Sequence, residues 1–575
     1  MKTNKIFMLT MVMALSMFTI GCTESDDMTE ITPQQEKQKQ QETETPLSDD
    51  FSETLEAIQG VSDVTVEDNV NLETETVTRY YTFYVQQFVD HSDLAKGTFK
   101  QRVRISLSPE GVKAPVVFYS HGYSMPDKVD NIYVPTIATQ LKASTLFIEH
   151  RYFGKSLPEP FEDLNFTYLY AEQAANDLHA IITLLKQTVF KESGKWISTG
   201  VSKDGITTGL YAYFSDPANR HYNNTETWND IDLYMPFCAP FLEGTPTSCD
   251  DPKMGKYLYE ECGKGYAAGS QEAIAFERLQ RIPKALLQDM ALRNICMSLY
   301  HQKDPDEYLD VINTFGRTEE NATAGLLFTY FGNLFGKFSY VPFKQWSYLV
   351  PDIDAATQTA TTAEEETAKI VAISQLAGFI FMDENELLAL LQQQAADDDE
   401  SSIADNYSYP SDGQEPSALT DAELLSLRGT DYTMPYYVQA ARELGSIHME
   451  YTVLNGLNYP GSTQDFGYLA TSVGKQLETK KVYERYSGDW DGGKLMKDFR
   501  QWVKTQSKYN MIFAYSHNDP WTGGAIDDST NPKVKRIIAR NGTHNDSFLN
   551  PDCYTEEEKQ QLLGWVRDYL GTTAR

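Results

Sequence analysis

Residues that bind metals or form cross-links are scarce in this sequence. Its 575 residues include 6 cysteines and 9 histidines. Neither a Cys-x-x-Cys pair nor an H-E-x-x-H motif occurs, and no Cys/His spacing is typical of a zinc site. The sequence therefore predicts no metal and no other cofactor.

The cysteines that lie beyond Cys22 are odd in number: Cys238, Cys249, Cys262, Cys296 and Cys553. At least one of them must stay unpaired within the chain. Export into an oxidising compartment would permit one or two disulfides, but the spacing does not fix which cysteines would pair.

Basic residues are also in deficit. Lysine and arginine together number 49 against 82 acidic residues, which gives a formal net charge of −33. Such a field repels phosphate backbones and excludes nucleic acid as a partner. Disorder of the whole chain is excluded as well, because 41% hydrophobic and 12% aromatic residues can bury a sizeable core.

The apolar run at the N-terminus, residues 6–20, is about fifteen residues long, which is short for a membrane span. Lys2 and Lys5 precede it, so residues 1–22 have the parts of a signal peptide. The run ends at Gly21-Cys22, which resembles a bacterial lipobox, whose cysteine is diacylated and becomes the new N-terminus. An ordinary cleaved signal peptide with a coincidental cysteine is the alternative.

Acidic residues follow Cys22 at once, at Glu24, Asp26 and Asp27. This pattern is similar to the surface-export signal of some Gram-negative lipoproteins. We therefore expect an exported protein that is anchored to a lipid bilayer through acylated Cys22. The cell envelope, at the outer membrane, is the expected location, and the sequence does not decide between its periplasmic and surface faces.

Changes of composition divide the chain into five predicted segments. Residues 1–22 are the lipoprotein signal peptide, and residues 23–50, rich in Glu, Gln, Thr and Asp, are a flexible acidic tether. Residues 51–245 alternate strand and helix patterns and form the first part of an α/β core. Residues 246–500 form a helical cap insertion, and residues 501–575 form the second part of the core.

Short apolar runs that end at polar or turn residues predict a largely parallel sheet, since such a sheet is buried on both faces. The predicted strands are at residues 80–88, 101–107, 114–119, 144–148, 196–199, 509–515 and 534–538. Helical spacing predicts core helices at 170–188 and 555–570, and insertion helices at 273–281, 283–300, 364–381 and 384–396.

Residues 195–205 have the features of a nucleophile elbow. A short apolar strand runs into Gly200, and Ser202 stands before a helix-compatible stretch. In such a turn the serine hydroxyl projects freely, and the next backbone N–H faces the oxyanion at the helix N-terminus. The usual pattern is G-x-S-x-G, but Asp204 occupies the second glycine position here and Gly205 comes one later. A serine in an ordinary glycine turn is an equally good interpretation.

Two later loops carry partners for Ser202. Asp519 follows the predicted strand at 509–515, and His544 lies in a glycine-containing loop before the last helix. The order Ser, Asp, His is that of the α/β-hydrolase fold. In such a triad His544 takes the Ser202 proton and later gives it to the leaving group, while Asp519 fixes the imidazole tautomer. The predicted fold class is α/β: an α/β-hydrolase sheet domain interrupted by a large, mainly helical cap insertion.

His517 offers an alternative use of the same region, as a metal ligand with Asp519, Asp527 or Asp528. No dense carboxylate pattern supports a metal cluster there. Other histidines are interpreted as surface or packing residues: His91, His221, His301 and His448.

A second oxyanion donor is expected after the strand at 114–119. The motif Ser120-His121-Gly122-Tyr123 follows that strand. In an α/β-hydrolase this loop supplies a backbone donor, so the N–H of Tyr123 would act together with that of Lys203. A plain turn is an equally good interpretation.

Several motifs follow one another from about residue 75 to the C-terminus: SHGY at 120–123, EHRYFGKS at 149–156 with Pro158, EQA at 172–174 with Asp177, GVSK at 200–203 with Gly205, Tyr436 with QA at 439–440 and ELG at 443–445, and NDPW at 518–521. With them the chain resembles the prolyl tri/tetrapeptidyl aminopeptidase family of secreted bacterial serine peptidases. It more distantly resembles the lysosomal prolyl carboxypeptidase group. The run at 149–156 is the most specific, because it combines many polar residues.

The resemblance implies a nucleophile at Ser202, an acid at Asp519 and a base at His544. It also implies release of tri- or tetrapeptides from free N-termini, often with Pro before the cleaved bond. The family reads S-K-G-G where this chain has Ser202-Lys203-Asp204-Gly205. The side chain of Asp204 is therefore expected either to crowd the elbow or to alter substrate preference.

Far more chain separates Ser202 from Asp519 than a sheet core needs. Such an insertion usually covers the active site and admits chain ends. Peptides are the expected substrates, and acidic residues such as Glu260 or Glu261 are candidates to bind their α-ammonium group. Two alternatives stay open: an esterase or lipase on the same core, and a non-catalytic binding lipoprotein in which Asp204 has spoiled the elbow.

Overall fold

The computed structural model describes residues 50–71, 76–158, 166–305, 308–309, 319–397, 434–447, 487–544 and 553–571. The predicted signal peptide with Cys22, residues 23–49 of the tether, residues 398–415 and His448 lie outside the described residues.

Nine strands of the described chain form one sheet, in the order β1-β2-β3-β5-β4-β6-β7-β10-β11. The strands are β1 (Val61–Asn71), β2 (Thr76–Phe88), β3 (Thr98–Ser106), β4 (Val116–Ser120), β5 (Ser144–Ile148), β6 (Trp196–Val201), β7 (Leu233–Phe237), β8 (Asp250–Asp251), β9 (Ser446–Ile447), β10 (Met511–Ser516) and β11 (Val534–Ala539). Strands β8 and β9 pair separately with each other.

The sheet is antiparallel at one side and parallel over the rest. Strands β1, β2, β3 and β5 pair antiparallel in that order. From β5 through β4, β6, β7 and β10 to β11 every pairing is parallel. The carboxyl ends of these parallel strands meet at one edge, where open α/β sheets place their ligand sites.

The strands predicted from sequence are all present, and the prediction for β5 matches residue for residue. Two strands of the sheet, β1 and β7, were not predicted. Strand β7 reads LYMPF, and a proline argues against a strand interior because it has no N–H to donate. The structure accommodates Pro236 by pairing it with Gly200 of β6, whereas β10 pairs with β7 only at Tyr234 and Phe237.

The helices are α1 (Asp50–Glu56), α2 (Thr136–Leu141), α3 (Ala171–Thr188), α4 (Lys203–Ser215), α5 (Lys253–Glu260), α6 (Gln271–Gln288), α7 (Met290–Lys303), α8 (Glu319–Tyr340), α9 (Phe343–Trp346), α10 (Ile353–Thr357), α11 (Ala363–Ile380), α12 (Glu384–Asp397), α13 (Met434–Gln439), α14 (Lys494–Thr505) and α15 (Glu556–Leu570). A π-helical turn, Ala440–Leu444, continues α13.

Helices cover both faces of the sheet, because successive strand residues point to opposite sides. On one face Val117 of β4 packs in a cluster with Ile137 of α2 and Leu562 of α15. On the other face the ring of Phe118 lies 6.3 Å from that of Tyr211 of α4. This is the α/β-hydrolase architecture that the sequence predicted.

Helices α5 to α12 lie between β7 and β10 in the chain and have an apolar core of their own. Buried members of this core include Phe338, Trp346 and Leu376. The insertion is thus mainly helical, as predicted, although residues 246 and 500 as its boundaries stay a prediction. Helix α14 packs on the sheet domain, with Phe499 stacked 4.4 Å from Phe241.

The predicted division of two insertion helices at Pro283 is wrong. Helix α6 continues through Pro283 to Gln288, and α7 begins after Asp289, whose side chain accepts a hydrogen bond from the N–H of Leu292. A proline removes one helical hydrogen bond, but Ile282 and Leu286 on the same helix are completely buried in the insertion core. Their burial offsets the lost bond, and the Asp289 cap sets the actual end.

Two further observations concern membrane-spanning helices and disulfides in the described part of the chain. Within the described ranges, no helix has both the length and the apolar character needed to cross a bilayer. The cysteines of these ranges are all buried, and none forms a disulfide: Cys238, Cys249, Cys262, Cys296 and Cys553.

Candidate active site

Ser202 lies in the sharp turn between β6 and α4. Its backbone has φ 58° and ψ −123°, which is a strained conformation for a residue with a side chain. Two hydrogen bonds hold it there: the Ser202 N–H donates to the Phe237 carbonyl at the end of β7, and the Ile206 N–H donates to the Ser202 carbonyl, both at 2.9 Å. The predicted strand–turn–helix elbow is present.

Glycines make this turn possible. A Cβ added to Gly200 would lie 2.5 Å from the Asp204 carbonyl carbon. A Cβ on Gly205 would lie 2.9 Å from the Ala239 Cβ and from the carbonyl oxygens of Gly200 and Phe237. The first turn of α4 thus packs directly on β6 and on the chain after β7. Gly205, one position later than in the usual pattern, serves the close approach that the turn requires.

Asp519 and His544 form a hydrogen-bonded pair after β10 and β11. The His544 Nδ1 lies 2.8 Å from the Asp519 Oδ2, and the Asp519 carboxylate is completely buried. Burial raises the pKa of Asp519, while hydrogen bonds from His544, the Trp521 N–H and the Cys238 thiol act in the opposite direction. With Nδ1 turned to the carboxylate, Nε2 is the nitrogen left for proton transfer.

The insertion supports the imidazole. The His544 N–H donates to the carbonyl of Ser339 near the end of α8, at 2.6 Å. The rings of Trp521 and Tyr340 have centroids 5.2 and 6.1 Å from that of His544. His544 therefore contacts both the sheet domain and the helical insertion.

Ser202, Asp519 and His544 follow β6, β10 and β11, which run parallel in the order β6-β7-β10-β11. All three residues therefore lie at the same carboxyl edge of the sheet. The Ser202 hydroxyl forms no hydrogen bond with any other described residue. Hydrogen bonds between a nucleophile and its base are often long before substrate binds, so Ser202 stays a candidate partner of His544.

The sequence did not single out Cys238 for this site. It follows β7 directly, with a φ of 48°, and its thiol hydrogen-bonds to Asp519. Its Sγ also lies 3.6 Å from the carbonyl oxygen of Thr543, next to the base. No pattern in the sequence marks this position, because Cys238 approaches Asp519 only through the pairing of β7 with β10.

Cys238, Asp519 and His544 are also the described residues whose metal-binding atoms gather within 4.8 Å of one another. Because the carboxylate and the imidazole are hydrogen-bonded to each other, we interpret this group as the acid and base of the candidate triad with the Cys238 thiol beside them. The alternative metal cluster around His517 is not assembled in the described chain. Asp527 instead pairs with Arg500, and Asp528 pairs with Arg536.

Residues on the other side of Ser202 are those expected to bind an oxyanion. Lys203 is the first residue of α4, and no described residue accepts a hydrogen bond from its N–H. The loop after β4 lies beside it, with the Tyr123 ring 5.7 Å from the Lys203 Nζ. The Gly122 N–H donates to the Asp204 carboxylate. The assignment of Lys203 and Tyr123 as backbone donors stays a prediction.

The Lys203 side chain is buried beside the elbow. Its ammonium group lies over the rings of Tyr123 and Phe153, at 5.7 and 5.4 Å from their centroids. Burial lowers the pKa of Lys203 to about 7, and the charges of Asp204 and Glu443 oppose that shift. Burial also raises the pKa of Asp204 to about 6 and that of Glu443 to about 8. Burial therefore moves the pKa values of three ionisable groups near Ser202 towards neutrality.

The most specific motif of the sequence, at residues 149–156, holds loops in place. The Glu149 carboxylate accepts hydrogen bonds from the Met125 N–H and the Ser156 hydroxyl, both at 2.8 Å, and pairs with Arg102. Met125 belongs to the loop that follows Tyr123. Glu149 thus fixes the loop that carries the predicted oxyanion donor.

Arg151 of the same motif forms a completely buried ion pair with Asp177 of α3, with nitrogen–oxygen distances of 2.7 and 2.8 Å. His91 also bonds to Asp177, at 2.7 Å. These residues connect β2, the loop after β5 and α3. They hold the scaffold of the site together and do not reach the reacting atoms.

The remaining candidates have structural partners. His221 pairs with Glu172 at 2.7 Å, and the His301 ring lies 4.8 Å from that of Tyr308. Glu261 pairs with Lys264 at 3.1 Å. Glu260 lies 3.9 Å from Lys256.

The chain is similar to known peptidases. Residues 45–223 match the family model of the PS-10 peptidase S37. The chain is 24% identical over 448 residues to the prolyl tri/tetrapeptidyl aminopeptidase of Streptomyces mobaraensis, which covers 77% of this chain and 70% of that protein.

Two further matches cover smaller parts of the chain. The serine protease vicPb of Bipolaris victoriae is 26% identical over 182 residues, which cover 28% of this chain and 33% of that protein. The lysosomal Pro-X carboxypeptidase of Bos taurus is 31% identical over 131 residues, which cover 20% of this chain and 25% of that protein. The two resemblances stated from the sequence motifs, one close and one distant, are confirmed.

Proposed function

We propose that this chain, a serine peptidase similar to the prolyl tri/tetrapeptidyl aminopeptidases, releases tri- or tetrapeptides from free N-termini with a preference for Pro before the cleaved bond. The observation that carries the proposal is the buried pair of Asp519 and His544, 2.8 Å apart, at the sheet edge where the strained turn presents Ser202. The relative that covers most of the chain bears an aminopeptidase name, which supports an exopeptidase.

The chemistry assigned to these residues is acyl transfer in two steps. His544 Nε2 takes the proton from the Ser202 hydroxyl as Oγ attacks the scissile carbonyl. The carbonyl oxygen becomes an oxyanion that accepts hydrogen bonds from the backbone N–H groups of Lys203 and Tyr123. His544 then gives its proton to the leaving amine, and the acyl-enzyme forms. Water attacks this ester as His544 takes its proton, and His544 then gives that proton to the Ser202 Oγ as the peptide departs with a free carboxyl group.

Asp519 supports both steps without exchanging a proton. Its carboxylate holds Nδ1–H of His544, so that Nε2 faces the nucleophile, and it stabilises the imidazolium that forms. The Cys238 thiol and the Trp521 N–H hold the carboxylate in turn.

The helical insertion supports selection of chain ends. It contacts the catalytic loops directly, because the Gly263 N–H donates to the Asn518 side chain at 2.8 Å and His544 is bonded to Ser339. We expect a body of helices tied to the loops of the site to restrict the approach of folded proteins.

The test uses chromogenic peptide amides. Tripeptide and tetrapeptide p-nitroanilides that end in Pro are offered with free and with acetylated N-termini, beside p-nitrophenyl esters. We expect cleavage of the free-amine Pro amides and loss of cleavage on acetylation. Cleavage that ignores acetylation would contradict the exopeptidase, and turnover of esters alone would identify an esterase or lipase on the same core.

A fluorophosphonate probe separates catalysis from mere binding. It reacts with activated serines, so the wild type should be labelled at Ser202 alone and Ser202→Ala should not be labelled. Folded wild type that resists the probe and hydrolyses none of the substrates would favour a binding lipoprotein.

We also propose that the chain is exported and anchored in the cell envelope through acylated Cys22, at the outer membrane. The support is the signal-peptide pattern of residues 1–22 and the Gly21-Cys22 motif. Labelled fatty acid should enter the wild-type protein in cells and should not enter Cys22→Ala. Digestion of intact cells with an added protease would then distinguish the surface face from the periplasmic face.

A further inference from the structure

Asp204 stands where the S-K-G-G pattern has glycine, and the structure shows what its side chain contacts. Asp204 lies in the first turn of α4 and is 7% exposed. Its Oδ1 accepts a hydrogen bond from the N–H of Gly122, and its carboxylate is also bonded by the Tyr119 hydroxyl. The side chain therefore does not block the elbow. It turns toward β4 and the loop that follows.

Both partners belong to one segment, the end of β4 with the loop that carries Tyr123. The backbone of Asp204 contacts the same segment, because the Ser120 hydroxyl lies 3.3 Å from the Asp204 carbonyl oxygen. A Cβ on Gly122 would lie 2.8 Å from the Asp204 Oδ1, so the loop approaches α4 as closely as its glycine permits. The elbow and the loop are thus joined by contacts of Asp204 with Ser120 and Gly122, and Asp204 and Gly122 each adjoin an expected oxyanion donor in the sequence.

We propose that Asp204 is a positioning residue that holds the Gly122–Tyr123 backbone against the nucleophile elbow, so that the Tyr123 N–H is presented to the oxyanion together with the Lys203 N–H. This inference rests on the proposed function. Because the Gly122 N–H is already bonded to Asp204, the assignment leaves Tyr123 as the loop's donor. In a chain with glycine at this position the same loop has to be held in another way.

The groups that face Asp204 define how this attachment responds to pH. They are Lys203 on its own helix, the Tyr119 hydroxyl from β4 and the Gly122 N–H from the loop, while Glu443 acts on Lys203 from the π-helical turn. A carboxylate accepts these hydrogen bonds more strongly than a neutral carboxylic acid does. Burial raises the pKa of Asp204 to about 6, so acidification to that range weakens the attachment.

Two variants separate the acceptor from the charge. Asp204→Gly removes the acceptor, whereas Asp204→Asn keeps a carbonyl acceptor but cannot ionise. Thr208→Val is the matched control, since Thr208 bonds Ser120 at 2.8 Å in the same buried cluster without touching Gly122. Each is compared with the wild type for kcat and KM on the cleaved Pro amide, for its pH profile and for its melting temperature.

We expect Asp204→Gly to lower kcat about tenfold with KM within about twofold, since an oxyanion donor acts in the transition state. Asp204→Asn should keep kcat within about threefold at alkaline pH. The acid limb of its log kcat profile should be shallower than that of the wild type, because the amide at position 204 has no carboxyl group to protonate. Thr208→Val should lower the melting temperature and leave kcat and its pH profile unchanged.

Wild-type kcat and an unchanged acid limb in Asp204→Gly would overturn the inference while the proposed function stands. If Asp204→Gly fails to fold, the acid limb of Asp204→Asn decides alone, and a wild-type slope there overturns the inference. Wild type that neither cleaves the amides nor reacts with the fluorophosphonate at Ser202 would overturn the proposed function, and this inference with it.

Discussion

The two ends of the sheet edge that carries Ser202, Asp519 and His544 are built in different ways. At the β10–β11 end, the His544 side chain bonds the Asp519 carboxylate, and the backbone N–H of His544 donates to the Ser339 carbonyl of the insertion. At the β4–β6 end, the backbone positions the residues, through the strained turn at Ser202 and the close packing of Gly205. Asp519 and His544 are therefore held by a few hydrogen bonds, whereas the position of Ser202 depends on the backbone conformation of the turn.

Removing the Ser202 hydroxyl should give the largest loss of activity, and it tests the β4–β6 end of the site. We expect Ser202→Ala to lower kcat by about 10⁴-fold or more with little change of fold, since the hydroxyl is the attacking group. Steady-state kinetics on the Pro amide would measure it. Adding His544→Ala should cost little more, because the two residues act as a unit. A large further loss would indicate that they act independently.

Breaking the acid–base pair comes next. Asp519→Asn keeps the shape but presents an amide to the His544 Nδ1, which disfavours the required tautomer. We expect kcat to fall by about 10³- to 10⁴-fold. Slower labelling of Ser202 by the fluorophosphonate should accompany this loss, while near-ultraviolet circular dichroism should stay unchanged. Wild-type labelling rates would contradict the assignment of Asp519 as the acid.

A methyl group at Gly205 tests the backbone end directly. The added Cβ would lie 2.9 Å from the Ala239 Cβ and from two carbonyl oxygens. We expect Gly205→Ala to lower the free energy of unfolding by about 1–3 kcal/mol, measured in urea, because a packed turn cannot move aside cheaply. Gly564→Ala on α15 is the control, since nothing lies within 4 Å of its added Cβ. The control should be about 0.4–1 kcal/mol more stable than the wild type.

Substitutions of Cys238 test the β10–β11 end, where hydrogen bonds hold the Asp519 carboxylate. Cys238→Ala removes a donor to Asp519. We expect kcat/KM to fall by about three- to tenfold, corresponding to one hydrogen bond of about 0.5–1.5 kcal/mol. Cys238→Ser keeps a donor and should recover most of the activity. Equal losses in both variants would indicate a packing role for the sulfur instead.

The smallest effect, a change in the pH dependence of stability, is expected for substitution of Glu443, whose charge acts on Lys203. Burial raises its pKa from 4.5 to about 8. Between these values the folded protein holds a proton that the unfolded chain releases, so the free energy of unfolding falls as pH rises through this window. Glu443→Gln cannot ionise and should gain in melting temperature over the wild type as pH rises from about 5 to about 9. A difference that is constant with pH would contradict this.

The fold was predictable wherever local pattern and tertiary context agree. Strand β5 is a continuous apolar run buried on both faces, and its predicted bounds are those of the structure. Strand β7 was missed because Pro236 argues against a strand, and only its neighbours β6 and β10 explain why the proline is tolerated. The helix break at Asp289 was missed for a similar reason, since burial in the insertion core outweighs the proline at 283.

Among the candidate site residues, the sequence by itself predicted Ser202, Asp519 and His544, because each stands in a local pattern of strand, turn and loop whose order along the chain is that of the α/β-hydrolase fold. Only the tertiary structure decided that Cys238 supports the acid and that Asp204 bonds the loop after β4. The physical reason is distance along the chain: Asp204 and Gly122 belong to elements that adjoin only when β4 pairs with β6. The sequence around a single polar residue does not indicate which distant residue the fold will place next to it.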